Sequence, residues 1–297
     1  MPVRIANAPC SWGVEFADAP NNPPWEQVVK EIHQAGYSGM ELGPLGYLPE
    51  DAAVLHDVLS VRQLQIVAGT LFQHFHNPDK HAAIIEFTRR NCALLSQLNA
   101  EYMVVISHVT SPRTEQAGQK KTATRLDAKG WGQLIYTIDK CAEICLDHNI
   151  TPTLHPHTGS YIEYEDELTK AMEDLSTDNI KLCVDTGHCF YAGMDPASVI
   201  RNYAGRVAYV HMKDITPNTY EEVINNGIDF YSAVKKGVFC PIGQGAVNFK
   251  DVKTALYEVG FDGWVTIEQD IDPLSGNGPL QYAIDSRQYV TDLFLQG

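Results

Sequence analysis

The chain has 297 residues, 44% hydrophobic and 20% charged, and its 22 Lys and Arg against 37 Asp and Glu give a net charge of -15. A field of that sign repels phosphate backbones and anionic membranes, and the nearest approach to a basic patch is Lys120 with Lys121, so neither nucleic acid nor membrane is expected as a partner. No apolar run approaches a membrane span, and RIANAP near the start is too short and polar for a secretory h-region, so a cytoplasmic protein is expected.

Seven cysteines, at 10, 92, 141, 145, 183, 189 and 240, lack zinc-finger or CxxC spacing, which fits a reducing compartment. Cys141 and Cys145, four apart on a predicted helix, read as small buried hydrophobes.

The elements alternate from the start. VRIANAP (3 to 9) is a strand, followed by a polar, Pro-rich loop. Trp25, Val28, Val29 and Ile32 fall at helical spacing, with Pro24 in the first turn and Gly36 as the stop. GYSGMELG is strand two with Glu41 near its end, 50 to 62 is helix two, and QIVAGTLF is strand three. A long helix follows, its stripe carried by Ile84, Phe87, Leu94, Leu95 and Leu98 around Asn91. EYMVVISH, strand four, ends in His108. The stretch from 109 to about 129 is longer than most loops and reads as a lid or a mobile excursion. Helix four (131 to 148) precedes TPTLHPH, strand five, and EDELTKAMEDL is a helix with an acidic first turn. IKLCVDTGH, DPASVIRNYAG and RVAYVHMKD give strand six, helix six and strand seven. An irregular segment from 215 to 247 is expected to wall the site. FKDVKTALYEVG, GWVTIEQD and a helix around Tyr282 to Phe294 close the chain.

Eight βα units with apolar strands predict a (β/α)8 TIM barrel spanning 1–297 as one domain. An open doubly wound sheet is the competitor, but no Gly-rich nucleotide loop follows the first strand, and the GxG at Gly243 and Gly245 lacks the third glycine and the following helix. Barrel sites sit at the C-terminal strand ends, so Glu41, His155, His157, Asp185, His211 and Glu268 are expected to converge on one mouth. Strand parity pairs His155 with His157, Cys183 with Asp185, Tyr209 with His211 and Lys213, and Thr266 with Glu268. Imidazoles and carboxylates without a thiolate suit a divalent ion such as Mn, Co, Fe or Zn. The expected ligands are Asp185, His211, Glu268 and one strand-five histidine. Any one of these alone reads more readily as a hydrogen-bonded strand end.

The same residues carry a resemblance. APCSWG (8 to 13), MELGPLGYLP (40 to 49), HPHTG (155 to 159), VDTGH, VHMKD, GVFCPIGQGAVNF (237 to 249), IEQDIDP and SRQY (286 to 289) resemble the xylose isomerase-like barrel superfamily of sugar isomerases, epimerases, dehydratases and endonuclease IV. Within it they are most similar to the inosose (2-keto-myo-inositol) dehydratase family of inositol catabolism. DTGH with HMKD marks the superfamily; HPHTG, PIGQG and EQD narrow it. The resemblance implies metal ligation by Asp185, His211 and Glu268, with His155 at a position usually held by Glu. Many isomerases and epimerases of the superfamily are thought to shuttle a proton between two metal-bound carboxylates. An imidazole at one of those positions favours elimination, which needs one base and one acid.

The expected roles follow. His157 is the first candidate base and Glu268 the second. His188 binds or protonates a substrate oxygen, and Lys213 fixes a hydroxyl or offsets enolate charge. Trp12 and Phe72 wall the ring, Glu41 contacts substrate, and Arg287 either reaches the site or pairs with a surface carboxylate. The expected cofactor is Mn or Co, with Zn or Fe as alternatives. The expected partner is a small polyol or keto-cyclitol, and homo-oligomerisation is left open. A sugar or cyclitol isomerase or epimerase is the runner-up. Abasic-site endonuclease chemistry conflicts with the charge, and a metal-free sugar-binding barrel is the non-enzymatic alternative.

Overall fold

In a computed structural model that describes residues 3–276 and 278–295, eight parallel strands close into a ring. They are β1 (Arg4–Asn7), β2 (Gly39–Glu41), β3 (Gln65–Gln73), β4 (Tyr102–Ser107), β5 (Thr151–Leu154), β6 (Lys181–Asp185), β7 (Val207–Met212) and β8 (Trp264–Ile267). Each pairs with its sequence neighbours, and β1 closes the ring on β8. The (β/α)8 architecture expected from the alternation is therefore the one formed. Met1, Pro2, Asn277, Gln296 and Gly297 of the expected domain lie outside the described residues. Among the described residues no helix is long and apolar enough to cross a membrane.

The apolar stripes read from sequence face the strands. Val28, Val29 and Ile32 of α1 (Trp25–Gln34) are fully buried, as are Leu134, Ile138, Cys141, Ala142 and Cys145 of α4 (Ala128–Asp147). A second core fills the ring itself, where Tyr102 stacks on Tyr209 with centroids 4.7 Å apart above Ala6, Ala68, Val104, Cys183 and Trp264. The barrel is thus a packed core, and chemistry is confined to its mouth.

Two long segments differ from their sequence reading. The stretch after β4 is pinned. Arg113, fully buried, donates to Glu167 Oε1 at 2.6 Å and Glu163 Oε2 at 3.2 Å, and to the Thr124 carbonyl at 3.1 Å. Gly118 N donates to Glu163 at 2.8 Å and the Tyr164 hydroxyl to the Gln116 carbonyl at 2.9 Å. A loop held by a buried ion pair and main-chain bonds is neither a lid nor a mobile excursion. Its anchor is invisible to local patterning because the partners lie fifty residues away.

The second is 215 to 247, which does wall the mouth but is not irregular throughout. It carries α8 (Pro217–Asn226), α9 (Phe230–Lys235) and a short antiparallel pairing of Asp214–Ile215 with Phe239–Cys240. The Asp214 carboxylate accepts from the main-chain nitrogens of Ile215 (2.8 Å), Gly243 (2.9 Å), Gly245 (2.9 Å) and Val247 (3.0 Å), so the GQG turn is wound on the residue following Lys213. A Cβ at Gly245 would collide with Asp214 Oδ1 and the Ile215 carbonyl. Gly245→Ala is therefore expected to cost about 1–3 kcal/mol in urea unfolding, as overpacking against an immovable backbone does; unchanged stability would mean the turn is not fixed this way.

Candidate active site

The register sets the site. His211 on β7 lies level with Asp185 on β6 and Thr266 on β8, and the ladder continues through Glu268 N donating to the Met212 carbonyl at 3.0 Å. β6 ends at Asp185 because that residue caps α6 (Thr186–Tyr191), its Oδ1 accepting from His188 N at 2.8 Å. Gly187 follows because Lys213 packs over it; a Cβ there would meet the Lys213 side chain at 2.8 Å. Thr186 Oγ1 donates to the Lys213 carbonyl and accepts its N–H, tying β6 to β7 at the mouth. β5 ends at Leu154, but His155 N still donates to the Val105 carbonyl at 2.9 Å, so the ladder carries His155 to the cavity and His157 follows in the turn beyond it. That turn is closed by His157 N donating to the Ile162 carbonyl at 2.9 Å.

Four candidate ligand atoms follow one another in a chain. His155 Nε2 is 3.5 Å from Asp185 Oδ2, which is 3.9 Å from His211 Nδ1, which is 3.1 Å from Glu268 Oε2. The outer nitrogens are already used. His155 Nδ1 donates to the Pro156 carbonyl at 2.8 Å, and His211 Nε2 donates to Glu41 Oε1 at 2.8 Å. Asp185 Oδ2 and His211 Nδ1 have no hydrogen-bond partner among the described residues although both are buried. Buried acceptors left facing each other are costly unless a proton or a cation lies between them. The donor set of two imidazoles and two carboxylates fits a divalent ion of the Mn, Co, Fe or Zn kind.

Charge follows the same geometry. Burial opposes ionisation of Asp185, but Lys213 and His188 overcome it and hold the carboxyl below its usual range. Burial likewise disfavours the Glu268 carboxylate, and His211 with Lys213 reverses this. Burial also works against a charged His211, but Cys183, Glu268 and Glu41 together raise its pKa well above the ordinary value. Lys213 Nζ stands 3.0 Å from Asp270, 3.3 Å from Glu268 and 3.5 Å from Asp185, and these three carboxylates keep it charged against its burial. His157 is the opposite case: burial, then His155 and Lys213, push it down to about 3, so it is a neutral imidazole at pH 7. Its Nδ1 donates to the Thr158 carbonyl at 2.8 Å, which leaves the lone pair on Nε2. His188 is also held neutral by burial, its ring 3.8 Å from that of His157 and its Nε2 3.2 Å from Lys213 Nζ.

A cavity of about 560 Å³ opens above this cluster and is lined by Glu41, His155, His157, His211, Lys213 and Glu268 among others. Glu41 is at the mouth, but its Oε1 accepts from both Tyr209 (2.7 Å) and His211, so it supports the histidine. Three residues expected to meet substrate do not line the cavity, and the first is His188, which is 2% exposed and packed against the His157 ring. Trp12 is buried in the outer core with its indole N–H donating to Glu31 of α1 at 2.6 Å, so it does not wall the cavity. Arg287 packs within 3.2 Å of where a Cβ on Gly36 would lie, in the turn before β2, at the end of the barrel opposite the mouth. Asp270 was not singled out, although the parity that selects Glu268 selects it too; it lines the cavity beside Lys213, with burial raising its pKa and Lys213 partly offsetting that.

A family model described as a xylose isomerase-like TIM barrel matches residues 29–292. The chain belongs to that family. Among curated relatives, the inosose dehydratase of Clostridium botulinum (strain Eklund 17B / Type B) is 29% identical, over 98% of this chain and 97% of its own length. That of Geobacillus kaustophilus (strain HTA426) is 28% identical, over 98% and 95%. The solved structure of IOLI protein with a zinc atom superposes with a TM-score of 0.76 at 15% identity, covering 99% of each chain, which is a likeness of fold. Members of the xylose isomerase-like family thus share the barrel whose mouth holds the cluster described above.

Proposed function

We propose that this chain is a divalent-metal-dependent hydro-lyase that dehydrates a keto-cyclitol, converting 2-keto-myo-inositol to a trihydroxycyclohexane-dione. What carries the reading is the presence of a neutral base and a charged donor beside one cluster: His157, with its lone pair on Nε2, lines the cavity together with the Lys213 ammonium, and His188 lies against both. The near full-length similarity to inosose dehydratases supports the same substrate.

His155, Asp185, His211 and Glu268 would hold the ion, which supplies Lewis-acid polarisation of the ketone and so acidifies the adjacent C–H. His157 takes that proton; it is neutral at pH 7, and with its pKa pushed down to about 3 it is a weak base that relies on the acidified C–H. Glu268 is the second candidate for this step. The carbon–oxygen bond of the β-hydroxyl breaks as the enolate electrons form the new double bond, and the departing oxygen takes a proton and leaves as water. His188, buried against His157 and Lys213, is the proposed holder or proton source for that oxygen. Lys213, fixed by three carboxylates, offsets charge developing on the substrate oxygen. Mn or Co is the preferred ion, with Zn or Fe as alternatives.

Incubating 2-keto-myo-inositol with protein loaded with Mn, Co or Zn is expected to generate a dione absorbing in the near ultraviolet, and chelation to stop it. Interconversion of ketoses without dione would replace this reading with an isomerase or epimerase.

A further inference from the structure

The cavity is built in two unlike halves. Its volume of about 560 Å³ falls in the roughly 300–1,000 Å³ range of pockets that take drug-sized ligands. The polar cluster occupies only one end. At the other, Phe72 stacks on His108 with centroids 4.3 Å apart and planes 13° apart, and His108 stacks on His74 at 4.1 Å and 21°. Phe16 lies alongside, 6.2 Å from Phe72 and 6.1 Å from His108, and 38% of its surface is in solvent. The two histidines behave as aromatic surface rather than as charge. Burial, then His108 and Lys80, hold His74 at about 4, and burial lowers His108. The stack starts beside the polar cluster, since the Phe72 and His157 rings are 5.9 Å apart.

A bare keto-cyclitol has oxygen on every ring carbon. Its hydroxyls find their charged partners at the polar end; the faces of the Phe16, Phe72, His74 and His108 rings offer none, Gln73 and Lys80 being the polar side chains that border them, and a single six-membered ring leaves the aromatic end to water. Wetting a row of aromatic groups is unfavourable, and covering it with an apolar ring removes that cost. We propose that the Phe16, Phe72, His74 and His108 wall is a second subsite that takes a flat apolar group attached to the keto-polyol ring, so that the preferred substrate is a substituted keto-polyol. The inference rests on the reading that the polar end binds the keto-polyol itself. It goes beyond that reading by naming what fills the rest of the cavity.

The test is calorimetry on the Mn-loaded protein with myo-inositol and with a panel of its mono-O-benzyl ethers. At least one ether is expected to bind about tenfold more tightly than the parent, the increment of burying one aromatic ring. Phe72→Ala and Phe16→Ala should each remove most of that ratio. Phe72→Leu, which keeps apolar bulk but not the ring face, serves if Phe72→Ala does not fold, and is expected to weaken the ratio in the same direction. Equal affinities across the panel, or an increment that survives substitution of both phenylalanines, would overturn the subsite. Turnover of 2-keto-myo-inositol by the same preparation reports on the dehydratase reading alone. A benzyl increment removed by Phe72→Ala supports the subsite whether or not dione forms.

Discussion

Asp185→Asn is expected to lose the metal and dione formation while keeping its fold. Oδ1 caps α6 by accepting from His188 N, and an asparagine carbonyl can do the same, so the melting temperature should stay near that of the parent. What changes is the other atom. Oδ2, which faces His155 Nε2 and His211 Nδ1 without a hydrogen-bond partner among the described residues, becomes an amide or a neutral oxygen. Losing an outer supporting group already costs metal sites about 10–100-fold in affinity, so loss of a charged ligand should exceed about a hundredfold. Elemental analysis after dialysis, turnover and a thermal melt measure the three quantities separately. Retained metal with near-parental turnover would remove Asp185 from the ligand set.

Arg113→Met is expected to be the most destabilising single change. It leaves Glu163 and Glu167, which are 1% and 7% exposed, without the cation they share; burial already pushes Glu163 up to about 7 with Arg113 in place, so loss of the arginine drives Glu163 to take up a proton and strands Glu167. Breaking a buried pair in this way costs about 3–5 kcal/mol. For a chain of this size that corresponds to a fall of roughly 5–15 °C in melting temperature. Arg125 still reaches Glu167, so the damage should centre on Glu163. Glu163 also accepts from Gly159 N at 2.9 Å, so the HPHTG turn that presents His157 should loosen with it. A double substitution that also replaces Glu163 by Gln should recover part of the loss; no recovery would mean Arg113 acts through Glu167 alone.

The barrel and the strand-end residues were legible because both follow from period. Alternating side-chain direction along β6, β7 and β8, carried one residue past the ends of the last two, puts Asp185, His211, Lys213 and Glu268 on the inside, and apolar stripes at helical spacing put the helices outside. Period says nothing about turns. His155 is carried to the cavity by the ladder to Val105, whereas His157 is set by a main-chain bond to Ile162. Trp12 looks like a wall residue until the short 3-10 turn around it aims the indole at Glu31. Arg287 is an ordinary helical cation, and which end of the barrel it faces depends on how α11 (Pro279–Leu295) lies across the sheet, a tertiary fact. The anchoring of 109 to 127 by Arg113 has no local signal, since a buried arginine and an exposed one look alike in sequence.

The hydrogen bonds on Glu41 also bear on how the ring is closed. β2 is three residues long, pairs with β1 only at Ala6–Gly39 and Asn7–Met40, and shifts register against β3 between Met40 and Glu41. With β5 on β6, its pairing to β1 is one of the two shortest in the ring. Across the interior, Tyr209 and His211 of β7 both bond to Glu41, and Tyr209 in turn contacts Thr266 of β8. This polar crosslink spans the lumen and supplements a main-chain ladder of two residue pairs. The group that orients the histidine is therefore also a structural tie, and any slippage of β2 is transmitted to the His211 ring without passing through the strands between them.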